Sequence, residues 1–520
     1  MKKQYYFLIS IFISSIAFGQ PNIEWQESMG GSARDVAWSI THTNDGGYIV
    51  AATTESSDGD VSANHGAEDI WIVKLSVIGG IEWEHTYGGT GHETGRVIRQ
   101  TSDGGYVFCA SSDSNDGDVS GNNGTYDFWV VKLDVNGNIE WEDSFGGSDS
   151  EAAYSIEQTT DGGFIVVGES ASNDGDVIGN VGATDIWVIK LDPQGQIEWQ
   201  NSLGGSDFEF AIDVLQLSTG EYAVFGSTGS SDGDVSAHDG QYDYWLILLS
   251  TQGVLQWEKT FGGTNWDQAA SLIQTSDGGL MLSGHSGSND GDITNNNGSW
   301  DYWVVKTDID GNIQWENAFG GSDVEQGGEI WQTSDGGFVM TGTSRSNDGD
   351  VTGNNGGSGD TWVIRIDNVG ALLWQKAMGG SNIDGSSGII PTSDGGYIVA
   401  GASESNDGDV TGNHGEFDAW IIKLSPDPTT ILEIVGNNEF QLFPNPASTD
   451  LFVEIMGCYV GQIEYEVLDH SGRSIISGTS DHSTFGEYSF KVPVGKIRSG
   501  VYHLRLMDGE STYVEQFIKL

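Results

Sequence analysis

Residues 139–196 read IEWEDSFGGSDSEAAYSIEQTTDGGFIVVGESASNDGDVIGNVGATDIWVIKLDPQGQ, and the pattern of this stretch returns along most of the chain. Its tryptophan, Trp141, belongs to the series Trp25, Trp83, Trp141, Trp199, Trp257, Trp315 and Trp374, spaced by 58, 58, 58, 58, 58 and 59 residues. A fixed long period marks one supersecondary unit that buries its apolar face by stacking on its own copies. Within the unit, Ile139-Glu140-Trp141 opens a strand and Gly146-Gly147 breaks it. Tyr154 to Thr159 alternates as a second strand, and Asp161-Gly162-Gly163 is the signature of a two-residue hairpin turn. Phe164-Ile165-Val166-Val167-Gly168 is apolar on both faces, a buried third strand. A polar loop leads from Asn173 to the fourth strand, Asp185 to Leu191, which turns at Gly195 into the next copy.

Four short antiparallel strands repeated seven times predict an all-β chain built as a seven-bladed β-propeller, in which radial repetition leaves only short, protected strand edges. A second series, Trp71, Trp129, Trp187, Trp245, Trp303, Trp362 and Trp420, brings the periodic tryptophans to 14 of 18. Rings of that size at strand positions are expected to fill the core between blades. The last copy ends at Ile421-Ile422-Lys423-Leu424 with no following Ile-Glu-Trp strand, whereas the first begins with Ile23-Glu24-Trp25. Either the N-terminal strand completes the seventh blade, or each repeat is a self-contained blade.

Twenty Lys plus Arg against 76 Asp plus Glu give a formal charge of −56, which argues against nucleic acid and anionic membranes as partners. Cations, neutral glycans and basic proteins remain. Cys109 and Cys458 lie in different regions, and Cys109 stands where other copies carry Ala51, Val167 and Ala400, so both read as small core residues without a disulfide. Residues 1–19 read as a signal peptide: Lys2 and Lys3, an apolar run from Tyr5 to Phe18, and the small pair Ala17 and Gly19, with Gln20 opening the mature chain. The propeller then spans 20–425 and Ser425-Pro426-Asp427-Pro428-Thr429-Thr430 opens a linker over 426–436. Residues 437–520 predict a small Ig-like β-sandwich, with strands such as Leu451 to Ile455 and Val501 to Leu506.

Two resemblances follow from these motifs. The order Trp141, Gly146-Gly147, Ile156, Asp161-Gly162-Gly163, Val166-Val167-Gly168, Ser172, Asp185 and Lys190-Leu191 resembles the bacterial propeller repeats called SBBP repeats, over roughly Pro21 to Ser425. Fold, rather than function, is what that resemblance implies. At the other end, Phe443-Pro444-Asn445-Pro446-Ala447, Val467-Leu468-Asp469 before Gly472-Arg473, Ser499-Gly500-Val501-Tyr502 and Phe517-Ile518-Lys519-Leu520 resemble the type A C-terminal sorting domain of the type IX secretion system of Bacteroidetes. It implies export to the periplasm and passage across the outer membrane under the direction of 437–520, with the secretion machinery as partner. Pro444, Asn445, Pro446, Gly472, Gly500, Tyr502 and Lys519 would carry the sorting signal. In that family the cargo is attached to surface lipopolysaccharide or released, which places this protein outside the cell or on its surface.

Chemistry concentrates in the loop after the third strand. Asp58-Gly59-Asp60, Asp116-Gly117-Asp118, Asp174-Gly175-Asp176, Asp232-Gly233-Asp234, Asp290-Gly291-Asp292, Asp348-Gly349-Asp350 and Asp407-Gly408-Asp409 are each followed by a further carboxylate, at Asp69, Asp127, Asp185, Asp243, Asp301, Asp360 and Asp418. Calcium takes about 6–8 oxygen ligands, and a glycine between two aspartates lets both converge, so calcium is the expected cofactor if these loops bind one. The competing reading is that these aspartates cap turns. In an antiparallel blade the two tight hairpins share one rim, so the acidic loops and the Gly-Gly connections share the other. There, Trp266, Trp300, Tyr242 and Tyr126 are the aromatic candidates for contact with a glycan. His65, His238 and His414 are expected to be solvated in the same loops. No asymmetric set of nucleophile, base and acid stands out. The expectation is therefore an exported, non-catalytic binding or adhesion module. A polysaccharide hydrolase or lyase with its site on the acidic face and a structural spacer are the alternatives.

Overall fold

The computed structural model describes residues 19–427, 440–443, 445–455, 461–468, 473–482, 488–507 and 512–520. Most of the segment expected as a signal peptide, through Phe18, the expected linker beyond Asp427, Cys458, Pro444, Asp469 and Gly472 lie outside the described residues. Asn22–Ser425 is one compact unit, and Pro426–Leu520 belongs to another. Among the described residues no helix is long and apolar enough to cross a membrane.

The first unit consists of seven four-stranded antiparallel sheets. In the first blade the inner strand is Asp35–His42, followed outward by Tyr48–Thr54, Asp69–Leu75 and Ile81–Tyr87. A blade thus runs from the second strand of one repeat to the tryptophan strand of the next. The inner strands of successive blades lie side by side, and that of the seventh, Asp384–Pro391, lies against that of the first. Of the two phases the repeat permits, the chain takes the one that closes the ring with backbone. Ile23–Met29 pairs antiparallel with Asp418–Leu424, Trp25 opposite Lys423 and Met29 opposite Ala419. The ring is therefore sealed by ladder hydrogen bonds as well as by side chains.

Packing between blades explains the continuous apolar runs, because the second and third strands are buried along their whole length in the first blade and most others. The third-strand tryptophans are 0–1% exposed, and each still satisfies its indole N–H. Trp71, Trp129 and Trp245 donate to Glu84, Glu142 and Glu258 at 2.8–3.0 Å, in each case 13 residues later on the outer strand. A buried donor without that acceptor would cost about 1–3 kcal/mol. The outer-strand tryptophans are less buried and meet the next blade edge-on, as Trp141 meets Phe164 at 5.7 Å.

In the first three blades the buried lysine of the third strand is paired with acids on both sides. Lys74 Nζ lies 3.0 Å from Asp45 and 2.9 Å from Glu82, and the same geometry recurs at Lys132 and Lys190. In the fourth blade the lysine becomes Leu248 and the hairpin aspartate becomes Thr219, so the two change together.

The hairpin after the inner strand differs from the two-residue turn expected of Asp161-Gly162. Gly162 N–H donates to Thr159 O at 2.9 Å and Thr159 N–H to Gly163 O at 2.9 Å, a three-residue loop with Gly162 at φ +89°. The Asp161 carboxylate selects it by accepting from both Thr159 Oγ1 and Gly163 N–H. A type I turn followed by a left-handed glycine is the form such a loop takes. Cys109 is buried, and burial pushes its thiol up to about 12.

The second unit pairs Phe440–Phe443, Asp450–Ile455 and Tyr488–Pro493 in one sheet and Ser474–His482, Gly461–Leu468, Gly500–Met507 and Thr512–Lys519 in another. Leu451, Val453 and Val492 of the first sheet and Val467, Leu504 and Phe517 of the second share one core, the sandwich expected for this segment.

Candidate functional site

The acidic loops bind the chain's own backbone. The first aspartate of each Asp-Gly-Asp accepts the N–H of the residue after the Gly-Gly pair, Ser32 to Asp58, Ser148 to Asp174 and so on around the ring, at 2.7–2.8 Å. The second accepts a glycine N–H of the same connection at 3.2–3.4 Å, as Asp60 does from Gly30 and Asp118 from Gly88. Gly59 between them has φ +67°, and a Cβ there would stand 2.2 Å from Gly30 O, so this position needs glycine. The third carboxylate, Asp69 or its equivalent, turns away to accept a backbone N–H from its own loop, His65 to Asp69 and Asn123 to Asp127.

The three carboxylates of one repeat are thus spent on three separate anchoring tasks, and the trios expected as calcium ligands do not converge. Among the described residues no group of three His, Cys, Asp or Glu side chains is placed to hold a metal ion. What comes together instead is one carboxylate from each of two neighbouring blades. Asp69 Oδ1 and Glu93 Oε2 lie 2.4 and 2.3 Å from the point where a Cβ on Gly88 would stand, hence within 4.7 Å of each other. Both residues are fully buried, and Asp69 Oδ1 has no hydrogen-bond partner. The equivalent oxygens of Asp127, Asp243, Asp301, Asp360 and Asp418 are likewise unpaired. Burial, with the facing carboxylate adding to it, pushes Asp69, Asp127 and Asp360 up to about 6 and Asp243 and Asp301 up to about 7. The partner positions, Asp35, Glu93, Glu151, Glu209, Asp267, Glu325 and Asp384, were legible in sequence as an acid four residues after each Gly-Gly pair.

Of the loop histidines, His65 and His414 are exposed, as expected, and His238 is half-buried. His65 Nδ1 lies 3.1 Å from Asp69 and His414 Nδ1 2.8 Å from Asp418, while His238 Nε2 is enclosed without a partner. The rings of His65 and His414 sit beside the buried carboxylate because their own backbone N–H groups cap it, whereas at Asp243 the cap comes from Asp239.

The four aromatic candidates do not form one platform. Tyr242 and Trp266 pack against each other, tilted by 33° at 4.7 Å, across one blade junction. Trp300 stacks on His285 at 5.1 Å and 26°, near the axis. Tyr126 lines a small cavity with Arg96 and Tyr154. The last two therefore lead toward the centre of the ring.

There the sevenfold pattern gives way. Each inner strand carries a bulge, with register shifts such as Ala37/Ser39, Gly95/Val97 and Ala153/Ser155, and in the sixth blade a wider one, Gly327/Ile330. A bulge re-aims side chains that a regular ladder would alternate. The residues released, Trp38, Arg96, Tyr154, Ile212, Ala270, Gly328 and Ser387, all line one axial cavity of about 330 Å³. Three large side chains stand in consecutive blades and mostly small ones in the rest, so the cavity is a one-sided cup. Inner strands begin at the Gly-Gly connections, which puts the cup toward the acidic-loop face.

Two arginines line the cup, Arg96 on its wall and Arg99 at its base. The Arg96 guanidinium carbon lies 5.2 Å from the Trp38 ring and 4.8 Å from the Tyr154 ring. Such contacts are worth about 0.5–1 kcal/mol each at exposed sites. Tyr154 in turn donates to Glu169 at 3.1 Å. His285 closes the rim: Nε2 meets Gln268 Oε1 at 3.2 Å, Nδ1 is buried and unpaired, and burial lowers the ring to about 4, which keeps it neutral at physiological pH.

Below the cup the axis narrows at Arg99, Asp213, Ser271 and Glu329, which also line a second cavity of about 620 Å³ toward the hairpin face. The acids here stitch inner strands together. Glu157 accepts Gln216 N–H, Asp213 accepts Leu272 N–H and Glu329 accepts Ile389 N–H, at 2.8–2.9 Å, each across a blade junction. Burial pushes Glu157 and Glu329 up to about 7, with Arg99 opposing. The residues of this axis differ from copy to copy and so form no motif along the chain, and that divergence is itself their signal in the sequence.

In the second unit, Asn445 Oδ1 accepts Ile518 N–H at 2.9 Å, and Ala447 exchanges backbone hydrogen bonds with Ile518 and Leu520. The Asn445-Pro446-Ala447 motif is therefore tied to the terminal strand, where Lys519 is buried. Tyr502 closes a local turn by donating to Arg498 O at 2.9 Å, two residues before Gly500. Residues 441–520 match the family described as Secretion system C-terminal sorting domain. This is a type IX sorting tail, and it directs export across the outer membrane to the cell surface or beyond.

The whole chain has more distant likenesses. Regulatory protein FlaEY of Caulobacter vibrioides is 28% identical over 142 residues, and the match spans 26% of this chain and only 15% of that protein. PorZ, an essential surface component of the type IX secretion system of Porphyromonas gingivalis, aligns with TM-score 0.33 at 10% identity, over 96% of this chain and 75% of its own. Puromycin hydrolase aligns with TM-score 0.43 at 11% identity, over 85% of this chain and 62% of its own. Likeness of that degree carries neither activity nor ligand.

Proposed function

We propose that this exported protein is a non-catalytic binding module of the cell surface or medium, and that it holds its ligand in the axial cup. One observation supports this above the others: most strand, hairpin and loop positions repeat from copy to copy, whereas the bulged positions around the axis, Trp38, Arg96, Tyr154, Ile212, Ala270, Gly328 and Ser387, differ in every blade. The loop carboxylates that a hydrolase would draw on are already engaged as backbone acceptors. Cavities of about 300–1,000 Å³ with a few convergent polar groups are the usual form of small-ligand sites. A glycan array with the full chain tests the proposal, set against an Ala270→Trp variant that fills the cup from its small-residue side. Loss of the bound glycans in the variant supports the reading, and an unchanged profile counts against it. Release of reducing ends during the same incubation would favour the polysaccharide-hydrolase alternative.

Calcium remains a second proposal, now at the blade junctions rather than within the loop trios. The unpaired Oδ1 atoms of Asp69 and its equivalents, facing Glu93 and its equivalents, are what would draw a cation to the blade junctions. Its contribution there would be neutralisation of two facing carboxylates.

A further inference from the structure

We infer that the axial cup is a receptor for a carboxylate-bearing sugar, a uronate, with Arg96 as its anchor; this rests on the cup being the ligand site. The rings of Trp38 and Tyr154 lie against the guanidinium, whose N–H edge has no hydrogen bond or ion pair among the described residues. An arginine held in this way offers a planar fork, and its match is a planar, bidentate acceptor such as a carboxylate. The stacking also fixes the side chain in advance, so little rotamer freedom remains to be lost on binding.

The rest of the wall suits a polyhydroxyl body. Ser39, Ser271, Ser387 and Gln326 present hydroxyl and amide groups around the floor and the open side. The buried, unpaired Nδ1 of the neutral His285 is a polar atom at the rim without a partner of its own. Such an atom costs free energy until a ligand hydroxyl meets it. The volume of about 330 Å³ is at the small end for ligand sites and fits one sugar-sized unit better than a nucleotide. Charge narrows the choice further. A protein of formal charge −56 repels polyanions over long range, and Arg99 at the base of the cup already faces the carboxylates of Asp213 and Glu329, so Arg96 is the cation left to meet a ligand carrying one negative group. Glu169 accepts from Tyr154 and interacts with the Arg96 charge, which adds to the negative field around the cup.

The test is calorimetric titration of the full chain with D-glucuronate, D-galacturonate and the neutral methyl β-D-glucoside, using wild type, Arg96→Gln, Arg96→Lys and Ala270→Trp. Uronate binding that falls at least tenfold in Arg96→Gln, less in Arg96→Lys, and disappears in Ala270→Trp supports the inference. Thermal melting of each variant separates loss of the site from loss of the fold, and Ala270→Trp leaves Arg96 in place should Arg96→Gln fail to fold. Glucoside binding as tight as uronate binding, unaffected by Arg96→Gln but lost in Ala270→Trp, overturns the carboxylate assignment and leaves the cup as the ligand site. Uronate binding that survives Ala270→Trp overturns both. No heat with either uronate on wild type overturns the assignment outright.

Discussion

Trp420, in the last repeat, donates its indole N–H to Gln26 Oε1 at 2.6 Å, although the two residues stand 394 positions apart. Every other blade makes the same bond between its own third and outer strands, 13 residues apart, so the closing contact is a local one stretched across the whole propeller. Gln26 is thereby a lock on the ring. Gln26→Ala leaves a buried indole donor unpaired and should cost about 1–3 kcal/mol, and Gln200→Ala at the equivalent bond to Trp187 should cost a similar amount. Deleting Ile23–Met29 should do more, because it removes a whole ladder from the seventh blade. Calorimetric unfolding of the three variants checks this, with a lower and broader transition expected for the deletion.

The Asp-Gly-Asp loops separate capping from metal binding by one substitution. Asp174→Asn keeps the acceptor for Ser148 N–H and should leave stability nearly unchanged, whereas Asp174→Ala should cost about 1 kcal/mol, the usual value of a lost net hydrogen bond. Urea unfolding midpoints decide it, and equal losses in both variants would show that the negative charge matters rather than the acceptor.

Stability should depend on pH from two directions. The junction carboxyls Asp69, Asp127, Asp360, Asp243 and Asp301 hold a proton more tightly folded than unfolded, with values of about 6 to 7 against 3.8. Their contribution is complete below pH 3.8 and is lost as pH rises through 6 to 7. Asp45 and Asp277 do the opposite. Hydrogen bonds from Thr43 and Thr275, with Lys74 and Lys306 adding, hold them at about 2, so their contribution is present above 3.8 and lost as pH falls toward 2. The melting temperature measured in chelator should therefore peak near pH 4–5 and decline toward pH 8. A profile rising from pH 5 to 8 would contradict the assignment of the junction pairs.

Calcium should act where those pairs are ionised. At pH 8 calcium should raise the melting temperature above that in chelator, and at pH 5 the difference should shrink, because protons already occupy the pairs. Identical melting temperatures at pH 8 would remove calcium from the account.

Export should depend on the second unit. Removing residues 437–520 should leave the propeller in the periplasm, detected by fractionation, while the full chain reaches the surface or the medium.

The sequence by itself determined the all-β repeat, the number of blades, the packing of fourteen periodic tryptophans into the blades, the seven of the third strands fully buried, and the sorting tail. Each of these is carried by residues close together in the chain and restated many times, so period and composition suffice to read them. Tertiary structure alone decided the phase of closure, because pairing Trp25 with Lys423 depends on a ring that no local pattern encodes. It also decided what the acids do. Asp58, Asp60 and Asp69 look like one cluster along the chain, but in space they part to different backbone amides, and Asp69 meets Glu93 of the next blade instead. The cup was hidden for the same reason. Trp38, Arg96 and Tyr154 stand 58 residues apart and share no motif, and only the bulges of three neighbouring inner strands bring their side chains into contact at the axis.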